Sequence, residues 1–146
     1  MEVKIFDHGY KEKLKKLGKE GPVFRKYPND CGCDLYCLED VTIQPQEVVK
    51  IGTGLGVEVP PGMAAFIIPR TSMAIKGASS AFCAIDTGYT GEINNICSNL
   101  SSEPITIKAG DRMASLAFFH IATPTFIDSE EKREERGDGA FGSTGK

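Results

Sequence analysis

From Cys31 onward, short apolar runs alternate with Gly, Pro, Asn and Asp, and no long helical period interrupts them. The runs are CDLYCLED, VTIQ, EVVKIGTGLGVEVP, MAAFIIP, SSAFCAID, EINNICSN, ITIKAG and RMASLAFFHIATP, separated by turn signals such as PPG at 60–62, TG at 87–88 and KAGD at 108–111. Short β-type runs spaced in this way predict an all-β sandwich or barrel. Ahead of them, YKEKLKKL reads as a helix and GKEGPVFRKYPNDCG as a connector punctuated by Gly and Pro. Behind them, DSEEKREER at 128–136 reads as a solvated linker or a frayed helix. The chain then ends on RGDGAFGSTGK, which has four Gly and one large ring in its eleven residues. Such a segment has too little apolar surface to offset the entropy of ordering it, so the sequence predicts a mobile tail.

At 146 residues and 40% hydrophobic, the chain has the length of one domain with its own core. The formal charge of -3 and the lack of any basic block beyond KEKLKK, itself a solvated helix face, argue against nucleic acid as a partner. No run approaches the roughly 18 apolar residues of a membrane span, and MEVKIFDHGY is neither a signal nor a transit peptide. The expectation is a soluble cytoplasmic protein with no membrane partner. Five cysteines at 31, 33, 37, 83 and 97, an odd number without a secretion signal, point to reduced thiols. The C-x-C-x-x-x-C spacing suggests a metal site at first sight. Strand geometry, however, puts Cys33 and Cys37 on one face rather than around a point, which favours small buried hydrophobes.

Four polar, Gly-rich clusters stand out before the tail: CGCDL at 31–35, PRTS at 69–72, AIDTGYTGE at 84–92 and GDRMAS at 110–115. Taken singly, a carboxylate beside a turn is more often a turn-former, because Asp accepts hydrogen bonds from its own backbone. Asp86 differs: it follows the apolar FCAI, so a lone carboxylate ends a core strand and could act as a general base. The tail resembles a P-loop, but Ala140 stands where a Gly is needed and no helix follows Lys146. Its RGD tripeptide suits cell adhesion only in a secreted chain.

Taken in order, the four clusters and the tail resemble the five motifs of the trimeric dUTP diphosphatases (dUTPases): A-G-x-D-L, P-R-S-[GS], G-x-I-D-x-G/D-Y-x-G, G-D-R-x-A-Q and R-G-x-G-G-F-G-S-T-G. The likeness runs from about Cys31 to Gly145. It implies an all-β jelly roll of the β-clip, dUTPase-like type in a homotrimer, with residues 1–127 as the β-domain and 128–146 as a flexible C-terminal arm carrying the lid motif. It also implies Mg²⁺-dependent hydrolysis of dUTP to dUMP and pyrophosphate, which keeps uracil out of DNA and supplies dUMP, at three sites each built from all three chains.

By the same resemblance, Asp86 activates the attacking water and Asp34 holds waters of the Mg²⁺. Tyr89 lies beneath the deoxyribose, where no 2′-hydroxyl fits. Arg70, Thr71 and Ser72 meet or buttress the phosphate chain. The strand pair from about Ser80 to Ile85, including Cys83, reads uracil through main-chain groups. In the tail, Phe141 stacks on the base while Arg136, Gly142, Ser143 and Thr144 close over the phosphates. Several positions depart from the pattern. Cys83 replaces a Gly and Ser80 stands near a common Asn, so the pyrimidine pocket is altered. Ser115, in the substrate-binding set, replaces a Gln and loses its long amide. Thr71 replaces Ser, and Ala140 replaces Gly, which disfavours positive φ there.

Three rivals follow. The dCTP deaminases share the fold and the I-D-x-G-[YW]-x-G pattern, but their catalytic Glu falls at Ile96, which cannot shuttle a proton. A dual dCTP/dUTP diphosphatase stays open because of the altered pocket. A phage-type dUTPase that also binds regulatory proteins stays open as well.

Overall fold

A computed structural model of the chain describes residues 1–131 and residue 145. The chain opens with β1 (Ile5–Asp7), α1 (Tyr10–Lys16) and β2 (Val23–Phe24), and continues through β3 (Gly32–Tyr36), β4 (Val41–Ile43), β5 (Val48–Gly52) and β6 (Leu55–Val57). Then come β7 (Met63–Pro69), the one-turn α2 (Thr71–Ala74), β8 (Ala78–Ser80), β9 (Cys83–Ile85), β10 (Asn94–Asn99), β11 (Ile105–Ile107) and β12 (Arg112–His120). The longest sheet runs β2-β3-β12-β7-β9; a second runs β5-β10-β8; β1-β6 and β11-β4 form two short ribbons. All pairings are antiparallel, and the architecture is all-β and jelly-roll-like. Among the described residues no helix is long and apolar enough to cross a membrane.

Register decides what each sheet face carries, because paired residues point to the same side. In the five-stranded sheet Cys33, Leu116, Ile67 and Cys83 form one rung, and Asp34, Ser115 and Ile68 the next. The first rung points into the core, where Leu116 and Ile67 are buried; the second faces the opposite way. Burying side chains of this size contributes about 1.5–3 kcal/mol each. On β10 the same alternation sends Asn95, Cys97 and Asn99 inward, continuing from the buried Ile93 just before it. Helix α1 buries Tyr10 and Leu14, one turn apart, and leaves its lysines in solvent.

The strands departed from the sequence expectation where the chain changes partner. SSAFCAID is two strands: β8 pairs with β10 and β9 pairs with β7, so they belong to different sheets. EVVKIGTGLGVEVP likewise splits into β5 and β6 at Gly54, whose φ of 65° permits the turn. β1, β2 and α2 were not expected.

Candidate active site

The middle of the five-stranded sheet places Asp34 on β3 beside Ser115 on β12, and the end of β7 delivers Arg70 to the same spot. Ser115 Oγ donates to Asp34 Oδ1 at 2.6 Å, while Arg70 Nε and Arg112 Nη1 lie 3.1 and 3.2 Å from Oδ2. Arg70 Nη1 also donates to the Arg112 carbonyl at 2.6 Å, and the Arg112 guanidinium rests 4.4 Å above the Phe24 ring. The Asp34 side chain is only 17% exposed, so these two ion pairs are shielded more than surface ones. Around this group opens a cleft of about 500 Å³, whose wall includes Cys31, Thr71 and Ser72. Thr71 and Ser72 are exposed and start α2.

A second cavity, of about 230 Å³, lies at the sheet edge between 83–86 and 92–94. Strand β9 is the last strand of its sheet and pairs only with β7 among the described residues, so its other edge keeps main-chain donors and acceptors for a ligand. Cys83, Ile85, Asp86 and Tyr89 all line this cavity. Asp86 is exposed, and its carboxylate has no hydrogen-bonded or ionic partner among the described residues. Tyr89 closes the turn: its N–H donates to the Asp86 carbonyl at 3.2 Å and its hydroxyl donates to the Glu92 carbonyl at 2.9 Å.

The expected residues therefore fall into two groups, Asp34, Arg70, Thr71, Ser72 and Ser115 in one and Cys83, Ile85, Asp86 and Tyr89 in the other, and a single chain does not join them. Ser80 belongs to neither. It is buried on β8 opposite Cys97; β8 and β9, the two strands of the 80–85 stretch, pair with different neighbours, and Ala81 and Phe82 carry the chain from one sheet to the next. The cavity at β9 is walled by 83–86 and the return segment with Glu92 and Asn94. Glu92 and Arg112 went unassigned although both sit inside the quoted clusters. Arg136, Phe141, Gly142, Ser143 and Thr144 lie outside the described residues.

Among the described residues no three His, Cys, Asp or Glu side chains gather to hold a metal. The Cys31, Cys33, Cys37 set is dispersed: Cys31 is exposed, Cys33 half-buried, and Cys37 buried with its thiol donating to the Glu39 carbonyl at 3.0 Å. Burial pushes the Cys37 thiol pKa upward, against the ionised form a metal ligand needs. Asp34, which shares its cleft with Asp30 and already faces two guanidiniums, fits an ion held through water and carried chiefly by ligand phosphates, as Mg²⁺ commonly is.

The family model described as dUTPase matches residues 22–145, and the chain belongs to that family. The deoxyuridine 5′-triphosphate nucleotidohydrolase of Solibacter usitatus is 38% identical over 120 residues, covering 80% of this chain and 82% of that protein. The Rhodococcus erythropolis protein of the same name is 37% identical over 138 residues, 90% of this chain and 84% of its own. Among solved structures, the dUTPase of Staphylococcus bacteriophage 80alpha with dUPNHPP superposes with a TM-score of 0.86 at 22% identity, covering 99% of this chain and 98% of that one. A mutant dUTPase from phage phi11 of S. aureus, described with a structural Mg(II) ion, superposes at 0.79 with 20% identity, over 92% of this chain and 100% of that one.

Proposed function

We propose that this chain hydrolyses dUTP to dUMP and pyrophosphate. The observation that carries the reading is the cavity at β9, where a main-chain edge and the Asp86 carboxylate, both without partners among the described residues, lie together. A fixed backbone edge suits uracil, whose O2 and O4 accept and whose N3–H donates; cytosine reverses part of that pattern and leaves groups unpaired. Asp86 takes the proton of the attacking water, and Tyr89 packs against the sugar. Thr71 and Ser72 offer hydroxyls to the phosphate chain from the other cleft. Arg70, held by Asp34 and the Arg112 carbonyl, buttresses that wall, and Ser115 commits its hydroxyl to Asp34. Mg²⁺ held through water at Asp34 would neutralise charge on the departing phosphates.

The working site is shared in a homotrimer. The two half-sites open on opposite faces of one sheet, and the exposed stack of Phe82 on Phe66, at 4.6 Å and beside Phe119, supports subunit contact on the outer face. Residues 1–127 form the β-domain, and the arm over 128–146 closes the site with Phe141 on the base and Arg136, Gly142, Ser143 and Thr144 on the phosphates.

A second reading, hydrolysis of both dCTP and dUTP, is favoured by Cys83 in the wall of the pyrimidine cavity. Assaying dUTP, dCTP and dTTP side by side for pyrophosphate and ammonia separates the readings. Pyrophosphate from dUTP, no ammonia, and a kcat/KM for dUTP about 10⁴-fold above that for dCTP are expected. Comparable pyrophosphate release from dCTP would establish the dual reading, and none from dUTP would end both.

A further inference from the structure

We infer that His8 is a positioning residue for the 86–91 loop that carries Asp86 and Tyr89. This rests on the function proposed above, although the contact itself does not. His8 Nε2 lies 2.9 Å from the Thr90 carbonyl oxygen. A carbonyl only accepts, so the proton sits on Nε2 and the imidazole donates. Among the described residues this is the one hydrogen bond in which a side chain from outside the loop holds it. The outgoing limb is tied, among the described residues, by Thr87 Oγ1, at 3.3 and 3.4 Å from the carbonyls of Met63 and Pro60.

The base from which His8 reaches is well fixed. Ile5, Phe6 and Asp7 pair with Val57, Gly56 and Leu55, and the His8 N–H donates to the Gly54 carbonyl at 2.7 Å. Asp7 Oδ1 accepts the Gly9 N–H at 2.9 Å, which sets the bend into α1. The loop in turn lies directly on β6. A Cβ at Gly56 would come within 2.9 Å of His8 Nε2 and of the Thr90 and Gly91 carbonyl oxygens. His8 therefore ties the return limb where it lies against Gly56, at which no side chain fits, and Tyr89 braces it internally through Glu92. His8 lies outside the residues the family model matches, so the family pattern gives no hint of this role.

The test compares His8→Phe, which keeps the ring and loses the donor, His8→Ala, and His8→Gln, whose amide reaches the same carbonyl. Without nucleotide, NMR of the full chain reads the Gly91 amide nitrogen, which senses the hydrogen bond on the preceding carbonyl, and order parameters over 87–91. The expected result is a shifted Gly91 resonance and order parameters falling from about 0.85 to below about 0.6 in the Phe and Ala variants, with Gln restoring both. With dUTP, kcat falls about fivefold in those two variants at unchanged melting temperature, the factor expected for one exposed hydrogen bond, and recovers in His8→Gln. An unchanged Gly91 resonance and loop order in His8→Phe would overturn the contact. A loosened loop with unchanged kcat, or a melting temperature that falls while kcat does not, would overturn the positioning role. A wild-type protein inert toward dUTP would sink the proposed function alone, and the loop measurements would still decide whether His8 holds the loop.

Discussion

Asn95 and Asn99 are both wholly buried on the same face of β10, yet their side chains have opposite fates. Asn99 Nδ2 donates to the carbonyls of Ile43 and Glu103 at 2.9 and 2.7 Å, and its Oδ1 accepts from the Ser101 N–H and hydroxyl at 2.9 and 2.7 Å. One amide thus ties β10 to the end of β4 and to the turn after it. Asn95, opposite Ile51 on β5, has no partner for either polar atom among the described residues. A buried unsatisfied amide costs about 1–3 kcal/mol, whereas a β-branched aliphatic suits an inward strand position. Asn95→Val should therefore raise stability by about 1 kcal/mol and the melting temperature by about 4 °C. Asn99→Leu should lower it, because four hydrogen bonds are lost. Thermal unfolding of the two variants checks both signs; a destabilised Asn95→Val would mean that the amide has a polar contact worth keeping.

At the level of strands, legibility followed alternation. β3, β7, β10 and β12 are legible from their apolar periods because each has one face in the core, and Asp34, Asp86 and Ser115 stand out in the sequence because polar clusters interrupt or end those runs there. What periodicity cannot report is the partner. Ala81 and Phe82 move the chain between sheets without breaking its apolar run, so Ser80 was placed with Cys83 when the two are in different sheets. The Asp34 to Arg70 ion pair joins distant parts of the sequence, and no local signal marks it. The cysteines divide similarly: Cys37 and Cys97 are the small buried hydrophobes expected, while Cys31 is exposed. Burial raises the pKa of both buried thiols above their ordinary value of 9.0. Since the folded value is the higher, this stabilisation is complete below about pH 8.5 and is lost as pH climbs through the folded values, at roughly 1 kcal/mol per thiol per pH unit. Denaturant midpoints at pH 8 and pH 10 should differ less in Cys37→Ala and Cys97→Ala than in wild type. An equal drop in all three would show that the thiols do not contribute.

Over the whole molecule, the register of the five-stranded sheet sets the hardest constraint. Ile67 and Cys83 share a rung that faces the β9 cavity, and Asp34, Ser115 and Ile68 share the next rung, which faces the opposite way. One triphosphate cannot bend around a sheet to touch Asp86 and Ser72 of the same chain, so a homotrimer that brings the two half-sites together from different subunits follows from the proposed function. Two inactive variants should then repair one another. Asp86→Asn keeps the arm but loses the base; a chain ending at Glu135 keeps Asp86 but loses the part of the arm that carries the lid motif. Refolded together in equal amounts, they form a competent site wherever the strand comes from the truncated chain and the arm from the Asp86→Asn chain. Random mixing gives about one half times one half, or roughly a quarter of wild-type activity. With mixing verified by mass spectrometry of intact trimers, activity near zero would mean that strand and arm act within one subunit, because every site would then carry one of the two defects.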